Sequence, residues 1–199
     1  GAQTLSTSSG ALVQGAAVPV NATTASAKLT VPAKSVTTFV VSGVSGVSDA
    51  AMKIVDGGTY QLVGVQSGKA LTATAMTNPP TRITTLNSSS AGQAWTFHQV
   101  GDASDRRFVV VAGDGRVLGA TSSNTDLRTG VSLADAAANP QTQWIVTSTN
   151  GTDIALLNVA MESVLDVGSS STAENASVGW WGNSGGGNQR WKVRDLAPK

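Results

Sequence analysis

The sequence predicts an all-β protein in which residues 55–199 form three pseudo-repeats closed about one axis, behind a short segment of separate strands. Three observations predict this. Leu71, Leu118 and Leu165 stand 47 residues apart, while Trp95, Trp144 and Trp191 follow at intervals of 49 and 47. The strand openers Tyr60, Phe108 and Ile154 keep step at intervals of 48 and 46. A period held by separate markers signals a repeat architecture, in which no unit buries its apolar face alone. Composition agrees: 13% charged residues, 22 Gly and many Ser, Thr and Ala make a turn-rich β sequence and not a helical one.

Residues 1–43 lie outside the repeat. Ala11–Val20, Ala25–Val31 and Ser35–Val41 read as short strands, punctuated by Pro19, Pro32 and Gly43. Three strands cannot cover both faces of a sandwich, so this segment needs further packing partners. Residues 44–54 read as the linker, entered through the Ser-Gly-Val-Ser-Gly-Val-Ser stretch Ser42–Ser48.

Within residues 55–199 each unit has about four short strands. Ser67-Gly68 and Asp114-Gly115 read as two-residue hairpin turns, whereas the third copy, Glu162-Ser163, predicts a different turn type. The Leu and Trp anchors are candidate core. Each Trp ends a short phrase: Gly92-Gln93-Ala94-Trp95, Gln141-Thr142-Gln143-Trp144 and Asn188-Gln189-Arg190-Trp191. The middle copy carries Thr142 where the others carry Gln. The Gln is expected to hold backbone groups at the strand end.

These phrases resemble the ricin B-type β-trefoil, and especially the trefoil carbohydrate-binding modules of family 13 attached to bacterial glycoside hydrolases. The resemblance implies a sugar pocket in any repeat with an Asp after the Leu anchor, an aromatic platform fifteen residues on, and an Asn before the Gln. The third repeat has Asp166, Trp181 and Asn188. The first has Thr72, Asn87 and Gly92, and the second Gly119, Ala134 and Gln141, so a single working pocket is expected. Relatives often carry Gln where this chain has Gly179, which either weakens the polar grip or leaves room for a larger or substituted sugar. Trp180 either packs below the loop or widens the platform. An indole face suits the C–H face of a pyranose. A carboxylate accepts from adjacent hydroxyls through charge-assisted bonds, and an Asn can both accept and donate. The competing reading is structural: Asp166 capping a turn and Trp181 buried, in a trefoil that only braces a catalytic domain.

Leu29–Val41 resembles the closing strands of the β-sandwich that accompanies the barrel in glycoside hydrolase family 30. That resemblance implies a larger secreted, bacterial enzyme with this chain as its C-terminal piece. The chain itself is expected to be non-catalytic and to need no cofactor or metal: the single histidine, His98, has no second His or Cys beside it. Glu162, Asp166 and Glu174 fall in loops of the third repeat. A net charge of +1 gives no field for nucleic acid or anionic membrane, and no apolar run reaches membrane-span length. The expected partners are a galactose-containing polysaccharide, with xylan as the other possibility, and a linked catalytic domain.

Overall fold

A computed structural model describes residues 54–148 and 152–196, together with the strand backbone of residues 2–7, 13–14 and 36–41. The chain divides into two compact units, Gly1–Val47 and Ser48–Lys199. In the first, β1 (Ala2–Thr7) pairs antiparallel with both β2 (Val13–Gln14) and β3 (Val36–Val41). Thus Ala11–Val20 contains a strand of two residues and Ser35–Val41 a full one, while β1 lies in a stretch the sequence reading left without a strand. The strand expected over Ala25–Val31 and most of the linker fall outside the described residues. Ile54 was counted with the linker, but it is fully buried in the core of the second unit, and Arg106 Nη2 donates to its carbonyl at 2.9 Å.

The second unit has four strands per repeat. The first repeat holds β4 (Thr59–Gly64), β5 (Ala70–Ala73), β6 (Thr81–Thr84) and β7 (Trp95–Gln99). The second holds β8 (Arg107–Ala112), β9 (Val117–Ala120), β10 (Thr125–Arg128) and β11 (Gln143–Ser148). The third holds β12 (Ile154–Asn158), β13 (Ser163–Val167), β14 (Ala176–Trp181) and β15 (Trp191–Asp195). The outer strands of the repeats pair in the cycle β4–β7–β8–β11–β12–β15–β4, which closes a barrel and removes its edges. The inner strands pair as three hairpins, β5–β6, β9–β10 and β13–β14. This is a β-trefoil.

The repeated anchors fill one core. Trp95, Trp144, Trp191, Leu71, Leu118 and Leu165 are all fully buried. Trp95 Nε1 donates to the Leu71 carbonyl at 2.9 Å and Trp144 Nε1 to the Leu118 carbonyl at 3.0 Å, so each indole ties its closing strand to its own hairpin. Trp191 keeps the packing but its Nε1 is buried with no partner among the described residues. Tyr60, Phe97 and Phe108 stack edge to face, with centroids 5.8 and 5.7 Å apart. The hairpins meet at the axis through equivalent residues: Thr81 Oγ1 and Thr125 Oγ1 lie 2.6 Å apart, and both donate to the Val178 carbonyl, at 2.7 and 2.8 Å. With two hydroxyls and one carbonyl, one of the hydroxyl protons is shared in this buried cluster.

Three turns depart from expectation. Ser67-Gly68 ends a longer loop, because Gly64 N–H donates to the Lys69 carbonyl and encloses residues 65–68. Asp114-Gly115 ends a loop over residues 113–115, closed by Ala112 N–H to the Arg116 carbonyl. Each glycine supplies the left-handed last position, with φ 66° and 87°. The third turn does not differ in type from the first. Gly68 N–H to Gly64 carbonyl (2.8 Å) is matched by Glu162 N–H to Asn158 carbonyl (3.0 Å), and Glu162 takes the left-handed position at φ 50°. The second repeat also contains a short helix, α1 (Leu133–Ala138), that the all-strand reading of the repeats omitted.

Two stability outcomes follow from this packing and are read by denaturant unfolding. Trp144→Ala empties a fully buried site and is expected to cost about 3–5 kcal/mol. Glu162→Gly releases left-handed strain and is expected to stabilise by up to about 1 kcal/mol.

Candidate functional site: a cleft on the third hairpin

Strand alternation sorts the third hairpin into two faces. On β14, Val178 and Trp180 turn inward, whereas Ser177, Gly179 and Trp181 turn outward. On β13, Asp166 faces outward directly across from Gly179. Together with the phrase that ends at Trp191, these residues line a cleft of about 610 Å³. Asp166, Gly179, Trp180, Trp181 and Asn188, the site residues expected from sequence, all border it.

Trp181 is 69% exposed, the most exposed large apolar side chain among the described residues. A water-facing indole at the mouth of a cleft is not core. Trp180 is half-buried, packs against the core, and donates its Nε1 to the Thr121 carbonyl of the second repeat at 3.1 Å. It therefore takes the first of its two expected roles, packing below the loop, and does not widen the platform.

Asp166 is buried, with one carboxylate oxygen fully engaged. Its Oδ2 accepts from Asn188 Nδ2 at 2.7 Å and from Gln189 Nε2 at 2.9 Å. Its Oδ1 accepts no hydrogen bond among the described residues. Burial pushes the Asp166 carboxyl above its ordinary value, opposed by the amides of Gln189 and Asn188, which hold the charged form. Asn188 departs from its expected dual role. Its amide also donates to the Val167 carbonyl at 3.3 Å, so both protons are committed and only Oδ1 faces outward bonding. Sequence reasoning placed Gln189 in the fold alone, yet it is the second clamp on Asp166. It also bonds the Gly182 carbonyl at 2.9 Å and accepts from Ser184 N–H at 2.8 Å.

The other repeats are shut by their own side chains. Strand register sets Thr84, Arg128 and Trp181 at equivalent positions, opposite Ala70, Val117 and Val164. Asn87 and Ala134, placed at the platform by counting fifteen residues, are not the equivalents. The hairpin loops differ in length, so the count holds only in the third. In the first repeat Thr72 Oγ1 is spent on the Ala70 carbonyl and on Thr84 Oγ1, at 3.0 and 2.7 Å. In the second, Arg128 pairs with Asp126 at 2.9 Å and bonds Gln141 Oε1 at 3.0 Å. A Cβ added to Gly119 would strike Asp126 and Arg128, so this ion pair fills the space that is a cleft in the third repeat.

A family profile described as ricin-type beta-trefoil lectin domain-like matches residues 91–181 and 140–198, together more than half of the chain. The chain belongs to the ricin-type β-trefoil lectin-domain-like family. Among similar proteins, an exo-beta-1,6-galactobiohydrolase of Bifidobacterium longum subsp. longum is 33% identical over 186 residues. That match covers 86% of this chain, which spans only 12% of the relative's length. The designed threefold-symmetric protein ThreeFoil superimposes with a TM-score of 0.57 at 25% identity, over 69% of this chain and 98% of its own. The Macrolepiota procera ricin B-like lectin, solved with lactose, gives a TM-score of 0.56 at 19% identity, over 71% of this chain and 98% of its own.

The raised Asp166 value fixes the sign of a pH effect. The fold favours the neutral carboxyl, while an acceptor for ligand hydroxyls needs the charged one. If Asp166 accepts from a ligand, affinity is expected to be full above the raised value and to fall as pH drops through it, at a higher pH than an ordinary aspartate would set. Asp166→Asn keeps an oxygen for Asn188 and Gln189 without the cost of a buried charge. Thermal unfolding is expected to show Tm unchanged or raised, and titration to show ligand binding lost.

Proposed function

We propose that the trefoil is a non-catalytic carbohydrate-binding module of the family 13 kind. Its third lobe holds a galactose-type sugar and delivers a linked glycoside hydrolase to galactan outside the cell. One observation carries this reading: an exposed indole stands beside a buried carboxylate that is clamped through Oδ2 and free at Oδ1. The indole covers the C–H face of a pyranose, and the free oxygen accepts from ring hydroxyls. Asp166 is the only carboxylate among the residues lining the cleft. Glycoside hydrolysis uses a pair. Glu174, also in the third repeat, is committed to Thr85 N–H at 2.9 Å and to Lys69 at 3.1 Å.

The choice of galactan rests on the similarity to an exo-beta-1,6-galactobiohydrolase. Its match covers more of the chain than residues 55–199 contain, so it takes in part of the N-terminal segment as well. This supports reading the N-terminal segment and the trefoil together as parts of a larger glycoside hydrolase.

A single solvent-open cleft predicts weak binding, with Kd of about 10⁻³ to 10⁻⁵ M, or about −4 to −7 kcal/mol. Affinity electrophoresis on galactan and xylan gels tests the assignment. Retardation by galactan is expected for the wild type and for Arg128→Ala in the closed second lobe, and is expected to vanish in Trp181→Ala. Equal migration of wild type and Trp181→Ala on both gels rejects the sugar-binding reading and favours a trefoil that braces its neighbour.

A further inference from the structure

The outward face of the third hairpin does not stop at Trp181 and Asp166. It continues as Gly179, Ser177 and Gly168, which all line the cleft and whose side chains are small or absent. This leaves an open floor beyond the platform. The space over Gly179 is filled from the second lobe, because a Cβ there would lie 2.8 Å from Asn124 Oδ1. Asn124 is held in place by accepting from Thr125 N–H at 3.0 Å, and its amide NH2 donates to no partner among the described residues. The far rim is Ser169-Ser170, two consecutive non-glycine residues in the left-handed region at φ 53° and 51°. Such strain persists only where the surroundings enforce it. Here the Ser170 carbonyl accepts from Gln66 Nε2 of the first lobe at 2.7 Å. All three lobes thus contribute to this arm.

We propose that the cleft is a groove with two subsites. One pyranose sits on Trp181 and Asp166. The adjoining unit of the same chain lies over Ser177 and Gly168, between Asn124 and the Ser169-Ser170 rim, recognised by the free amide of Asn124 and the hydroxyls of Ser169 and Ser170. The cleft volume of about 610 Å³ lies within the range that encloses drug-sized ligands, which is more than one pyranose fills. The ligand class is therefore an oligosaccharide of at least two linked hexoses and not a lone terminal sugar. Specificity for the linkage resides in a residue of the neighbouring repeat. This inference rests on the sugar-binding reading above.

The test is calorimetric titration of the full chain with galactose and with β-1,3-, β-1,4- and β-1,6-linked galactobiose. At least one disaccharide is expected to bind roughly 5–10-fold tighter than galactose, the gain from one or two extra hydrogen bonds. Asn124→Ala is expected to remove most of that advantage and leave galactose affinity unchanged. Ser177→Leu, which fills the arm, is expected to do the same. Galactose and every disaccharide binding equally well overturns the second subsite and leaves the lectin reading standing. So does an Asn124→Ala that weakens galactose and galactobiose in proportion. Failure of all four sugars to bind overturns both.

Discussion

The contact between Gln189 and Asp166 joins the architecture to the chemistry. Gln189 belongs to the phrase that closes the third repeat, and its amide fastens Ser184, Gly182 and Asp166 in one buried knot. In the first repeat Gln93 fills the same place and binds only scaffold: it accepts from Asn87 N–H and donates to Thr84 and the Thr85 carbonyl. In the second, Thr142 lacks the reach of a glutamine and instead donates to the Ala136 carbonyl at the end of α1. One structural position thus serves closure three times and aims a carboxylate once. The cost of burying Asp166 is tolerated because two amides compensate one of its oxygens, and the remaining oxygen is presented at a fixed angle beside an exposed indole.

Threefold closure explains how two lobes can lose a pocket without loss of the fold. The barrel cycle, the buried Trp layer and the Thr81–Thr125–Val178 cluster at the axis use inward-facing residues, whereas the clefts use outward-facing ones. The two sets alternate along the same strands and change independently. Thr72 and the Asp126–Arg128 pair fill outward positions with contacts inside their own lobes, although Asp126 Oδ1 is buried with no partner among the described residues. The lobes still cooperate across their boundaries. Trp180 bonds the second lobe through Thr121, and Asn124 reaches back over Gly179, so the third cleft is built from its neighbours as well as from itself.

The periodic part of this protein was legible because burial repeats with the chain. Leu71, Leu118 and Leu165, and the three tryptophans, recur in sequence because they occupy one layer in space. Asp166, Trp181 and Asn188 were legible as a constellation because all three belong to one repeat. What escaped was geometry that spacing does not encode. Equal residue counts put Asn87 and Ala134 at platform positions that strand register gives to Thr84 and Arg128, since loops of unequal length intervene. The helix α1 is too short for a helical period, although its N-cap serine was visible: Ser132 accepts from Asp135 N–H and donates to the Asp135 carboxylate. Asn124 carried no signal, because its contact crosses between repeats.

The central claim is that one lobe alone, through Trp181 and the clamped Asp166, meets the sugar. A ¹H–¹⁵N correlation titration with galactobiose tests it most directly, because side-chain indole and amide resonances report each candidate separately. The account predicts saturable shifts of the Trp181 indole and the Asn188 side-chain amide, with the indoles of Trp95, Trp144 and Trp191 still. Shifts confined to the first or second lobe, or a Trp181 resonance unmoved while others saturate, would contradict it.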